Sequence, residues 1–207
     1  MFRDRDDAAR RLTEALAQYR GQHPLVLAIP RGAVPMAKII ADALGGEVDV
    51  VLVRKLRAPG NPEFAIGSVD ETGWIYLGDY AGQVGGSAQY IAAEKETQLK
   101  VMRERRASYT PVRPPLDPAG RIVIVVDDGL ATGSTMIAAL HALRAKSPQK
   151  LICAVPVAPP DTLVKVEPYA DEVVCLSAPE MFYAVGQFYQ SFPQVSDEEV
   201  IALLKEV

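Results

Sequence analysis

The chain has 207 residues, 49% of them apolar, and a formal net charge of −4 at pH 7. That length suits one domain over residues 1–207, the apolar share is too high for disorder, and an acidic balance offers no global basic field for nucleic acid. The charged start Met1–Asp7 has no apolar stretch behind it, and no run approaches the roughly 20 apolar residues of a membrane span, so a cytoplasmic protein without a membrane partner is expected.

Ala8, Leu12, Ala15, Leu16 and Tyr19 recur at helical spacing and predict a helix over about 4–20. A strand follows at Leu25–Ile29, then the turn Pro30-Arg31-Gly32, then a helix marked by Val34, Ala37, Ile40, Ala41 and Leu44 that stops at Gly45-Gly46. Val48–Val53 reads as the next strand. Residues 57–80 hold prolines, glycines and a hairpin expected from Phe64–Val69, a turn near Glu71–Gly73, and Trp74–Leu77. The helical stretch 87–110 is polar and reads as a solvated face with no site.

Ile122–Val126 is a continuous β-branched run, the mark of a strand buried on both faces. A helix follows with Met136, Ala139, Leu140 and Leu143 on one side, then strands at Leu151–Val157 and Glu172–Leu176. Cys153 and Cys175 fall in these runs, where two buried thiols are expected. Residues 177–195 are aromatic and irregular, and Asp197–Val207 is helical with Ser196 as N-cap. Strands alternating with helices predict an α/β fold: a Rossmann-like parallel sheet with helices on both faces, plus a small irregular hood. His23 and His141 read as structural.

The chemistry concentrates in Asp127-Asp128-Gly129-Leu130-Ala131-Thr132-Gly133-Ser134-Thr135. A strand delivers two acids, and a small-residue turn then opens a helix. Backbone N–H groups of such a turn, with the helix N-terminus behind them, form an anion site, and Thr132, Ser134 and Thr135 offer hydroxyl donors. The paired carboxylates suit vicinal hydroxyls or a hydrated cation. A phosphate beside a diol is a sugar phosphate. A P-loop is excluded because no glycine-lysine pair occurs in the turn, and the three-glycine dinucleotide spacing is absent too.

This segment resembles the 5-phosphoribosyl-1-pyrophosphate (PRPP) signature of type I phosphoribosyltransferases: four apolar residues, two acids, a small-residue loop and Thr-Gly. Pro30-Arg31-Gly32-Ala33 resembles the family's pyrophosphate loop, and Arg54-Lys55 ends the next expected strand, where the family often places a basic residue against pyrophosphate. Residues 57–67 lie where these enzymes carry a mobile loop. The order of these motifs, with Ala58-Pro59-Gly60-Asn61-Pro62-Glu63-Phe64, also resembles a subgroup of predicted phosphoribosyltransferases of undefined acceptor.

The resemblance implies transfer of the 5-phosphoribosyl group of PRPP to a nitrogen acceptor, a small molecule, with release of pyrophosphate, and by analogy a homodimer. Asp127 and Asp128 would hold the ribose hydroxyls and touch magnesium (Mg2+) only through PRPP or water. Residues 129–135 and Gly32 would bind phosphate groups. Arg31 and Lys55 would offset charge on pyrophosphate, Arg54 would assist, and Glu63 would reach in from the lid. Phe182 or Tyr183, in an aromatic cluster around Gly186, would stack on an acceptor base, the alternative being a core or dimer contact. Enzymes of this type acting on hypoxanthine or guanine carry an aspartate just before Thr-Gly. Ala131 stands there, which disfavours 6-oxopurines. A PRPP sensor without turnover is the second reading, and a hydrolase of the same sugar phosphate the third.

Overall fold

The computed structural model describes residues 1–109, 111–112 and 114–206. In chain order its elements are α1 (Arg5–Ala15), β1 (Leu25–Ala28), α2 (Ala33–Leu44), β2 (Glu47–Val50), β3 (Val53–Ala58), β4 (Asn61–Asp70), β5 (Ile75–Leu77), α3 (Ala88–Tyr109), β6 (Ile122–Val126), α4 (Ser134–Arg144), β7 (Lys150–Val157), α5 (Pro160–Val166), β8 (Glu172–Ser177) and α6 (Asp197–Lys205). Thr110 and Val207, the last residues of two expected helices, lie outside the described residues.

Five strands form a parallel sheet in the order β2-β1-β6-β7-β8. Alternate side chains leave opposite faces of a strand, and both faces here are covered. Val26, Ala28, Ile124, Val126, Ile152 and Ala154 join the core under α1, α2 and α6. Leu25, Leu27, Val123, Val125, Leu151, Cys153 and Val155 join the core under α4. This two-sided burial is why β6 reads as an unbroken apolar run. The expected α/β architecture is therefore present.

The stretch 48–53 is not one strand. Val51 donates the last bond to the parallel sheet, through its N–H to Ala28 O at 3.0 Å, and Val53 opens a second, antiparallel sheet of order β3-β4-β5. Arg54 and Lys55 consequently lie within β3 rather than at the end of β2. A continuous apolar run does not reveal where the chain changes partner strand. Residues 57–67 likewise form most of a β3–β4 hairpin turning at Pro59-Gly60, where Gly60 adopts φ 69°. The second hairpin is as expected. Its turn is held by buried Asp70, whose Oδ1 accepts from Thr72 N, Thr72 Oγ1 and Trp74 N.

Helix α3 departs from the solvated reading, because it buries Glu94, Gln98, Met102 and Tyr109. Half of that buried face is polar, Glu94 and Gln98, so hydrophobic periodicity could not mark it. Cys153 is fully buried, whereas Cys175 is half-buried, and neither forms a disulfide. The irregular segment 177–195 contains one short 3-10 turn, Val185–Phe188, and is pinned to the start of the chain by Phe2 N–H to Phe188 O and Gln190 N–H to Phe2 O, both 2.8 Å. Ser196 closes a capping box on α6 with Glu199. No helix among the described residues is long and apolar enough to cross a membrane.

Candidate active site

The strand order reverses between β1 and β6, and loops leaving the carboxyl ends of two such strands open a crevice. Ala28 and Val126 are register partners, so the loops that follow, 29–32 and 127–133, emerge side by side. The β3–β4 hairpin and the irregular hood wall the opening into a cleft of about 670 Å³. Arg31, Gly32, Arg54, Lys55, Glu63, Asp127, Asp128, Gly129, Leu130, Ala131, Thr132, Gly133 and Thr135 line it.

Three expected site residues do not. Ser134 is buried behind the loop, where its Oγ accepts from Ser68 Oγ at 2.9 Å. Phe182 packs on Phe188 with ring centroids 5.0 Å apart, because the Val185–Phe188 turn folds the segment onto itself. Tyr183 is 81% exposed. The hood instead offers Val185 and Phe192 to the cleft.

The small-residue loop is anchored at both ends and open in the middle. Buried Leu130 donates its N–H to Val157 O at 3.0 Å, and Ala131 O accepts from Thr162 Oγ1 at 2.6 Å. Gly133 turns into α4 at φ 81°, where a Cβ would come within 2.8 Å of Thr162 Cγ2. The amides of Ala131, Thr132 and Gly133 donate to no acceptor among the described residues. Free amides ahead of a helix N-terminus constitute an anion cradle.

The acid pair forms the floor. Enclosure first, and the adjacent Asp128 second, push the Asp127 carboxyl well above the usual carboxylate range; Lys55 pulls the other way. Enclosure also raises Asp128, opposed by Arg5, whose Nε lies 3.1 Å from Asp128 Oδ2. Arg5 was invisible to sequence reasoning, since it stands 123 residues from its partner.

The cleft is also lined by Arg31, Arg54, Lys55, Arg57 and Arg105. Lys55 is exposed and has no ion-pair partner among the described residues. Arg57 pairs with Glu94 at 2.8 Å, while Arg31 and Arg105 share Asp197 at 4.0 and 3.8 Å. Arg54 hydrogen-bonds to the neutral Gln98, at 3.0 Å, and feels Glu94 through space. Its guanidinium is held below its ordinary value, first by burial and then by Arg105, Arg57 and Arg31. Such a gathering of cations, incompletely neutralised from within, suits a polyanionic ligand. Arg105 comes from the polar helix α3, whose composition gives it no distinguishing mark. The spacing of Glu94, Gln98, Met102, Arg105 and Tyr109 along one helical face was the signal available.

Residues 3–192 match the phosphoribosyl transferase domain family. The chain is 43% identical over 206 residues to the Mycobacterium tuberculosis (strain H37Rv) protein named "Putative phosphoribosyl transferase Rv0571c"; the match covers 99% of this chain and 46% of that protein. The chain thus spans about half the length of the curated relatives it matches. Among solved structures it is 47% identical to TT1426 from Thermus thermophilus, with a TM-score of 0.82 and coverage of 99% of this chain and 98% of that one. A Neisseria gonorrhoeae protein crystallised with bound ppGpp shares the fold at 14% identity, with a TM-score of 0.53 and coverage of 100% and 98%.

Proposed function

The chain belongs to the phosphoribosyl transferase domain family, and from that premise we propose that it transfers the 5-phosphoribosyl group of PRPP to a nitrogen acceptor and releases pyrophosphate. The observation that carries this reading is the open amide cradle of Ala131–Gly133 beside the recessed Asp127–Asp128 pair, with a cluster of cations lining the same cleft. One ligand carrying a phosphate, a diol and a diphosphate in series answers all three.

In this reading the cradle anchors the 5-phosphate, and the acid pair accepts hydrogen bonds from the ribose hydroxyls. The bond from C1 of the ribose to pyrophosphate oxygen breaks as a bond from C1 to the acceptor nitrogen forms. Charge growing on the departing pyrophosphate is offset by Arg31 and Lys55, with Arg54 behind them. The hairpin residues Pro62, Glu63 and Phe64 already border the cleft, and closing them inward would keep water from capturing the sugar. Most of the acceleration then comes from positioning and electrostatics.

Among the described residues no three metal-ligating side chains of the His, Cys, Asp or Glu type converge. The two carboxylates suit a magnesium ion carried by the diphosphate and contacted through water, and when bound it would neutralise pyrophosphate charge. Ala131 leaves the loop without a titratable group before Thr132-Gly133, so we place the acceptor outside the 6-oxopurines.

Calorimetric titration with PRPP, with and without magnesium, tests the reading beside an Asp127→Ala/Asp128→Ala variant. Magnesium-dependent binding that the variant loses is expected, followed by pyrophosphate release with one member of a panel of nitrogen bases. Binding without release on any acceptor would favour a sensor. No binding to the folded protein would sink the proposal.

A further inference from the structure

Helix α1 begins with Arg5, and the start of that helix is fixed by local chemistry. Asp4 is its N-cap, accepting from Asp7 N at 2.8 Å, and Asp6 and Asp7 occupy the first turn, where carboxylates complement the helix dipole. From this capped start the Arg5 side chain reaches Asp128, which lines the cleft. Its guanidinium is gripped on three sides. Nε donates to Asp128 Oδ2 at 3.1 Å, Nη1 donates to Pro193 O, and the plane lies over the Phe192 ring at 3.9 Å from the centroid.

The neighbours are arranged to accept this contact. A Cβ on Gly32 would stand 2.6 Å from Asp128 Oδ2 and 2.9 Å from Arg5 Nη2, so only glycine leaves room for the pair. Tyr189 donates its hydroxyl to Asp128 O at 2.7 Å, and its ring packs on Phe2, three residues before Arg5. Asp128 is thereby held by its side chain from α1 and by its carbonyl from the hood. Only about 12% of the Arg5 side chain is exposed, too little for an ordinary surface ion pair.

We propose that Arg5 is a positioning residue of the transferase site: it fixes the Asp128 carboxylate toward the sugar hydroxyls and ties that orientation to the seating of Phe192 in the hood. The proposal rests on the PRPP reading above. Arg5 need not touch the ligand; it acts through Asp128. The consequence is selective. Ligands that carry the ribose diol depend on Arg5, while pyrophosphate without its metal, which uses Arg31, Lys55 and Arg54, does not.

The test is titration of wild type, Arg5→Met and Arg5→Lys with magnesium-PRPP and, separately, with pyrophosphate in the absence of magnesium, so that the control ligand brings no metal to Asp128, at a temperature where circular dichroism shows each variant folded. Arg5→Met is expected to weaken PRPP binding about tenfold or more while pyrophosphate affinity stays at the wild-type level, with Arg5→Lys intermediate for PRPP. If Arg5→Met does not fold, Arg5→Lys is read by the same pair of ligands. Unchanged PRPP affinity, or an equal loss for both ligands, would overturn the assignment, since a merely structural role disorganises the whole cleft. A wild-type protein that binds no PRPP would instead overturn the reading beneath it, and this proposal with it.

Discussion

Ser68 and Ser134 face each other across the junction of the two sheets, both buried, with Ser68 Oγ donating to Ser134 Oγ at 2.9 Å. Ser68 lies on β4 and Ser134 is the first residue of α4, so this bond joins the hairpin sheet to the helix that carries the anion cradle. Thr132 Oγ1 also donates to Ser134 Oγ, at 3.3 Å.

Ser134→Ala should therefore act on stability rather than on ligand binding. Leaving a buried hydroxyl without its partner costs roughly 1–3 kcal/mol, which lowers the melting temperature by about 2–4 °C per kcal/mol in a chain of this size. PRPP affinity should hold, because the Ser134 hydroxyl is turned away from the cleft. Thermal unfolding and calorimetry check the two halves. A large loss of affinity with an unchanged melting point would show that the hydroxyl reaches the ligand after all.

Asp127 carries a pH dependence whose sign follows from its raised pKa. Between the unfolded value of 3.8 and the higher folded value, the folded state binds the extra proton. Its contribution is fully present below that window and is lost as pH rises through the folded pKa. Asp127→Asn removes the cost of ionising an enclosed carboxyl. It should be more stable than wild type at pH 8, with the difference shrinking toward pH 4, while PRPP binding is lost. Denaturant melts at several pH values measure this, and a variant less stable than wild type at pH 8 would contradict it.

Glu94 controls the hairpin wall. It is buried on α3 and accepts from Arg57 N, Arg57 Nε, Arg57 Nη2 and Gln98 Nε2. Glu94→Ala removes all of these hydrogen bonds at once and should release the β3–β4 hairpin, at a cost on the order of 1–3 kcal/mol. Limited proteolysis is expected to cut faster at the Pro59-Gly60 turn, with the parallel sheet resisting as before. Equal cleavage rates would show that β-pairing alone holds the hairpin.

The parallel sheet was legible in the sequence because two-sided burial demands unbroken apolar strands such as Ile122–Val126, and such runs have few alternative readings. The open loop at the cleft was legible for a similar reason: Asp127–Gly133 are contiguous, so the turn is written locally, although Ser134 turned out to be buried behind it. The hood was not. Phe182 and Tyr183 had the composition of a base platform, yet the 3-10 turn at Val185–Phe188 aims them elsewhere and brings Val185 and Phe192 to the cleft.

What the sequence by itself determined is thus the set of interactions that are short in chain distance: strand burial, helix caps, and the loop from Asp127 to Thr135. Only the tertiary structure decided which groups converge on that loop from afar. Arg57 and Arg105 line the cleft and Arg5 holds Asp128, each from a different element. Charge and hydrogen bonding act through space, and a periodicity cannot report a partner 123 residues away.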